Sequence, residues 1–327
     1  MLKDTVLNLM VSADAFSAFR FINRAKVPIL MYHRFSDGEE YGKTSRKTFE
    51  THLKYLAKNY KIISLSEAVD HLNHPDDLPN RTAVLTIDDG YRDFFDVAFP
   101  VLKEFNLPAT LYVVTGFLDK KCWIWTDKAR YLLTETKADR LSISVGDRVF
   151  DEKLGDTTSR LTLAGKVNSE LKKLSDDDKD IVLHEIEDSL SVRIGDVPTS
   201  EFGSITWDQA REMARNGIEI GSHTANHPIL TNVDTEILTN ELAVSQSVLM
   251  DQLQTDKLHF CYPNGNAGER ERTAAEDAGY MSAVTTEIRI CEPSDDRFLL
   301  PRIDAEPELG RLAQSTSGFD ALKAKYR

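Results

Sequence analysis

The stretch TAVLTIDDGYRDFF, residues 82–95, ends an apolar run with two adjacent carboxylates, Asp88 and Asp89, and then a glycine. Neighbouring carboxylates repel and raise each other's pKa, so a pair at the end of a buried strand needs solvent or a cation. The segment HTANH supplies partners for a cation, placing His223 and His227 four residues apart directly after the run IEIGS. Asp89, His223 and His227 are one carboxylate and two imidazoles, a donor set suited to Zn²⁺ or a similar divalent ion with positions left open for water. Each motif alone is weak: two histidines four apart also fit a surface turn, and Asp before Gly is ordinary turn chemistry. Standing together, each at the end of its own strand, they point to a metal centre. His33, directly after VPILMY, and the PNG tripeptide containing Asn264, directly after LHFCY, occupy the same kind of position.

The elements that must position these residues are legible as an alternation. Short β-like runs recur at 27–32, 82–87, 109–114, 218–222, 258–262, 281–285 and 297–303, separated by helix-like stretches. Strand then helix, repeated, predicts an α/β chain. Strand C-termini in such chains open on one shared face, so residues far apart in sequence converge there. Phe49, Leu53, Leu56 and Tyr60 keep helical spacing, as do Phe95, Ala98, Leu102 and Phe105, and Leu238, Leu242, Leu249 and Leu253. Those apolar faces cover a sheet or a barrel. From about 115 to 204 the alternation gives way to CWIWTD, a helix-like DKARYLLTETKA, a hairpin signal in LSISVGDRVF and a charged stretch containing SDDDKD. This length and patterning predict a mostly helical insertion in place of one βα connection, with SDDDKD as a solvated helix start.

Composition narrows the function. With 327 residues, 41% hydrophobic and 28% charged, the chain has the make-up of a globular protein. Its net charge of −13 argues against nucleic acid as a partner, because phosphate backbones are held by clustered Lys and Arg. Cys122, Cys261 and Cys291 are too few and too scattered for a disulfide framework or a thiolate zinc site, which favours reduced surroundings. Residues 1–26 read as an N-terminal amphipathic helix, with too many polar positions for an export signal or a membrane span. Packing on the body of the protein is preferred for that helix over peripheral membrane docking. The cytoplasm is then the expected compartment. Residues 27–327 form the remaining unit, which carries the candidate site residues and the insertion at about 115–204.

Taken together, LTIDDGYRD, GSHTANHPIL and FCYPNG resemble the first, second and third motifs of the polysaccharide deacetylases, carbohydrate esterase family four. ILMYHRF and TFETHLKYLAKNYKIISLSEA further resemble a subgroup that deacetylates β-linked N-acetylglucosamine polymers. The resemblance covers roughly 27–114 and 204–303. It implies a distorted (β/α) barrel and a metal-dependent hydrolase that removes N-acetyl groups from an amino-sugar glycan or glycoconjugate. O-acetyl esters, non-sugar amides and an inactive glycan-binding role are the alternatives. Carried across by position, Asp88 is the catalytic base, and Asp89, His223 and His227 hold one divalent ion, zinc by expectation. Tyr262 and the backbone N–H near Asn264 serve substrate and oxyanion. The third motif departs from the common pattern, having Cys261 and Asn264 where Arg and Tyr are usual, and no histidine follows His259. Arg302, in LLPRID, is the expected replacement for orienting Asp88. His33, from the MYH segment, is the expected acid for the leaving amine. Trp123 and Trp125 are read as either a sugar platform or an anchor for the insertion, and Tyr32 and Tyr91 as pocket-shaping neighbours. His52, His71, His74 and His184 are expected to be solvated.

Overall fold

The computed structural model describes residues 2–73 and 79–320; His74 lies outside them. Seven parallel strands, here β1 to β7, occupy Ile29–Tyr32, Thr82–Ile87, Ala109–Val113, Ile218–Ser222, Phe260–Cys261, Ala283–Ile288 and Leu300–Asp304. Each pairs with the next in the chain, and β7 and β2 both pair with β1, so the sheet closes on itself as a (β/α)₇ barrel. All seven strands coincide with the apolar runs of the sequence. The run 258–262 yields only a two-residue strand, stopped by Pro263, whose ring nitrogen carries no ladder donor.

Strand parity divides the core. Ile29, Val84, Tyr112, Cys261, Val284 and Leu300 fill the barrel interior as one cluster. Their neighbours Leu30, Leu85, Leu111, Ile220, Phe260 and Ala283 face the surrounding helices as another. This is the period-two pattern of a closed sheet buried on both faces, and TAVLTI is buried at all six positions. Asp88 continues the interior parity of Val84 and Thr86 to the barrel mouth.

The stretch from 125 to 194 builds a core of its own. Helices Trp125–Glu135, Thr157–Leu171 and Asp176–Leu190 pack with the hairpin Arg140–Val145/Arg148–Lys153 around Leu132, Val145, Phe150 and Val167. SDDDKD is the helix start expected: Ser175 caps it by accepting from the Asp178 N–H, and Asp176, Asp177 and Asp178 lie in its first turn. The N-terminal stretch read as one helix is two, Leu2–Ser12 and Ser17–Ile22, broken where Asp14 turns left-handed at φ 50°. Both sit beside the C-terminal helix Leu309–Ser317, where Arg311 pairs with Asp4 at 2.7 Å. No described helix is long and apolar enough to cross a membrane.

Candidate active site

At the C-terminal mouth of the barrel, β2 delivers Asp88 and Asp89, β4 delivers His223, and the turn after β4 delivers His227. The Nε2 atoms of the two histidines lie 3.2 Å apart. Each is 3.5 Å from the same Asp89 oxygen. A tetrahedral ion with bonds of about 2.0–2.1 Å separates its ligands by about 3.3–3.4 Å, so this triangle has the size such an ion requires. His223 Nδ1 donates to the Cys261 carbonyl at 2.7 Å, which fixes the ring and turns Nε2 toward the triangle. A second grouping, Asp88, His223 and Cys261, is also compact. It fits a metal less well, because both Asp88 oxygens are engaged by an arginine and burial pushes the Cys261 thiol up, away from thiolate.

That arginine is Arg302, fully buried on β7, whose two terminal nitrogens each donate to an Asp88 oxygen at 2.7 Å. Its Nε donates to the Thr285 carbonyl, and Cys261 Sγ lies 3.2 Å from Nη2. A fork-on-fork pair of this kind fixes both charge and orientation. Burial alone would raise the Asp88 carboxyl, but Arg302 outweighs it and holds Asp88 below the ordinary carboxylate range. Burial likewise opposes ionisation of Asp89, and His223 and His227 overcome it. Burial, reinforced by neighbouring His223, pushes His227 down to about 3, so its imidazole is neutral and free to be a ligand. Burial also disfavours the His223 cation, but Cys261 and Asp89 beside it outweigh that and raise it. His33, half-exposed at the rim, places Nε2 3.8 Å from Asp88 Oδ2.

The backbone here is unusual. Asp89, Thr224, His227 and Asn264 all adopt positive φ, at 78°, 71°, 64° and 60°. Such conformations cost energy for non-glycine residues and persist where the surroundings over-determine them. Glu241, buried on the long helix Thr235–Leu253, supplies that determination for the HTANH turn. Its carboxylate accepts from the Ala225 and Asn226 N–H groups at 2.9 and 2.8 Å and from the Asn226 side chain at 2.7 Å. The Ala225 carbonyl accepts from Gly116 N–H at 2.8 Å, an approach that only glycine permits, since a Cβ there would meet that oxygen at 2.7 Å.

The site residues line a pocket of about 460 Å³. Three expectations need correction. Tyr262 lines it, but its N–H donates to Val284 and its hydroxyl to the Phe298 carbonyl, leaving no donor for an oxyanion. Tyr32 has the outward parity of β1 and bonds His52, away from the pocket. His52 is fully buried, not solvated, because it shares the apolar face of Phe49 and Leu56; burial pushes it down to about 4. Trp123, left open between sugar platform and anchor, is buried with its indole N–H on the Gly195 carbonyl and stands outside this pocket, whereas Trp125 reaches the pocket wall. Asn264 lines the pocket with its side chain turned to Asn266 at 2.7 Å. His71 and His184 are partly or well exposed, each beside a glutamate. The pocket also contains residues the sequence did not single out: Arg34, stacked 4.0 Å over Tyr91, and Arg130 and Lys172 from the insertion. Basic residues amid charged helical stretches carry no periodic signal that separates them from a solvated face.

A closed (β/α)₇ barrel with an Asp-His-His triangle and an arginine-clamped aspartate at its mouth has the architecture of a barrel hydrolase with a donor group that could hold a metal ion. The polysaccharide deacetylase family profile matches residues 76–283, and the chain belongs to that family. It is a hydrolase of that type, acting on non-peptide carbon–nitrogen bonds. YxkH of Bacillus subtilis (strain 168), a protein named for the polysaccharide deacetylases, is 24% identical over 284 residues, covering 86% of this chain and 72% of its own. The poly-β-1,6-N-acetyl-D-glucosamine N-deacetylase of Staphylococcus epidermidis is 23% identical over 181 residues, 53% of this chain and 58% of its own. Among solved structures, the Streptococcus pyogenes deacetylase PplD in complex with acetate superposes with a TM-score of 0.60 at 21% identity, covering 89% of this chain and 98% of its own. IcaB from Ammonifex degensii gives 0.57 at 18% identity, covering 88% and 97%. These structural likenesses establish the fold.

Proposed function

We propose that the protein removes N-acetyl groups from an amino sugar of the N-acetylglucosamine type, within a glycan or glycoconjugate, using one divalent ion, zinc, held by Asp89, His223 and His227. The observation that carries this is the triangle of donors directly beside an aspartate whose two oxygens are both held by Arg302. The named activity of the Staphylococcus epidermidis relative supports the substrate class. Asp89, His223 and His227 would hold a divalent cation, which when bound would supply Lewis acidity for the acetamide carbonyl and a water of lowered pKa.

Asp88 takes the proton from that water. Arg302 keeps it ionised and aimed, the task of the arginine missing from the third motif. His33, with Nε2 3.8 Å from Asp88 Oδ2, gives a proton to the departing amine, which cannot leave as an amide anion. The backbone N–H near Asn264 receives the developing oxyanion. The test joins metal analysis to acetate release from matched N-acetylated and O-acetylated sugars. One bound ion per chain and faster release from the N-acetyl compounds are expected. Faster release from the O-acetyl compounds would move the reading to an esterase, and activity undiminished by chelation would end it.

A further inference from the structure

The charges around the pocket do not cancel. Of its acidic lining, Asp88 is taken by Arg302 and Asp89 is a corner of the triangle. Of its basic lining, Arg34 is held by Asp93 at 2.5 Å and by the Glu201 carbonyl at 2.7 Å. Arg130 gives one nitrogen to Asp127 at 2.9 Å and keeps the rest of its fork at a partly exposed position. Lys172 ends the helix Thr157–Leu171, and among the described residues no carboxylate pairs with it. Arg130 and Lys172 line the same pocket, and partial desolvation and then Arg130 depress the Lys172 pKa, with Asp89 opposing. The chain carries 53 acidic residues to 40 basic ones, which makes two basic side chains facing a binding pocket, only one of them paired with a carboxylate, a departure from the rest of the surface. A divalent ion at the triangle only adds to the positive potential. Like charges brought together in a partly desolvated cleft repel, and an arriving anion relieves that repulsion while gaining charge-assisted hydrogen bonds.

We propose that Lys172 and Arg130, both carried by the insertion, form an anion subsite over the acetamide pocket, so that the preferred substrate is an acetylated amino sugar bearing a carboxylate or phosphate on itself or on the adjoining sugar. This rests on the deacetylase reading above and assigns the insertion a role in substrate choice. Arg130 offers a fork to the anion and Lys172 a mobile point charge.

The test compares three β-linked N-acetylglucosamine tetramers: neutral, with one hexuronic acid, and with one phosphate. The wild-type kcat/KM should favour a charged tetramer by about tenfold at low ionic strength, and the preference should shrink in high salt. Lys172→Glu should collapse the charged-to-neutral ratio. Lys173→Glu makes the same charge change one residue away, on a side chain paired with Glu170 outside the pocket, and should leave the ratio unaltered. The two charged tetramers separate carboxylate from phosphate. A wild-type ratio near one, or equal ratios in the two lysine variants, would overturn the subsite. Calorimetric binding of the same tetramers to the metal-loaded Asp88→Asn protein reads the subsite without turnover. If no tetramer releases acetate yet the charged ones bind more tightly through Lys172, the deacetylase reading fails and the subsite stands. Binding that ignores charge ends the subsite alone.

Discussion

At the scale of single residues, the two adjacent aspartates face different demands. Asp89 offers an oxygen to both histidines, whereas Asp88 has both oxygens on Arg302 and none on an imidazole within bonding distance. Asp89→Asn should therefore lose bound metal. Asp88→Asn should retain metal and lose turnover by several orders of magnitude, since the asparagine oxygen still accepts from Arg302 but takes no proton. Metal analysis beside acetate release decides it, and equal metal loss in both variants would show the roles to be wrongly divided. His33 is argued from the chemistry of the leaving group. His33→Ala should slow acetamide cleavage by about 10²–10⁴-fold while sparing an activated aryl acetate, whose phenolate departs unaided. Similar losses on both substrates would make His33 a positioning residue. The grouping of Asp89, His223 and His227 was legible because its members stand at or just beyond strand ends. Arg302 was legible only through what the third motif lacks, and its two bonds to Asp88 join residues 214 positions apart.

At the scale of elements, burial corrected the reading most. All seven strands follow from apolar runs bounded by turn residues, a signal strong enough to survive without tertiary information. The helix through Phe95 and Phe105 is in fact a π-turn, Phe94–Ala98, followed by the α-helix Phe99–Phe105. Pro100 explains the break, having no N–H to continue an α ladder. His52 shows the opposite failure: charged neighbours disguised a core position, although its spacing of three from Phe49 and four to Leu56 places it on the apolar face. It joins the Tyr32 hydroxyl on β1 at 3.1 Å to the Pro307 carbonyl at 3.2 Å, tying the first strand to the segment before the last helix. Burial holds its pKa at about 4 against 6.5 unfolded. Since the unfolded chain binds a proton that the folded chain refuses, stability is full above pH 6.5 and declines as pH falls toward 4. The difference corresponds to about 3 kcal/mol. Denaturant melts of wild type and His52→Gln across that range should show the steeper acid loss in the wild type. Parallel curves would mean that His52 is protonated in the native state.

At the scale of the molecule, the barrel and the insertion are two hydrophobic cores sharing one pocket. The sequence marked where the alternation of strands and helices lapses, but no periodicity states how the inserted helices dock, and so the wall they build was hidden. The docking runs through Asp127, buried at the start of the helix Trp125–Glu135. It accepts a short hydrogen bond from the Tyr91 hydroxyl of the barrel and another from Arg130. Burial raises the Asp127 carboxyl, with Arg130 and Arg34 opposing the shift. Asp127→Ala would leave the buried Tyr91 hydroxyl without its acceptor and the partly exposed Arg130 guanidinium to solvent, a loss of about 1–3 kcal/mol. Because residues 125–194 have their own core, that loss should fall on their attachment to the barrel. Hydrogen exchange should accelerate across the helices Trp125–Glu135 and Asp176–Leu190 and the segment joining them to the pocket, while the strands β1 to β4 keep their protection. Acceleration spread evenly over barrel and insertion would instead show that the two cores unfold as one unit, with Asp127 supporting the whole and not the join between them.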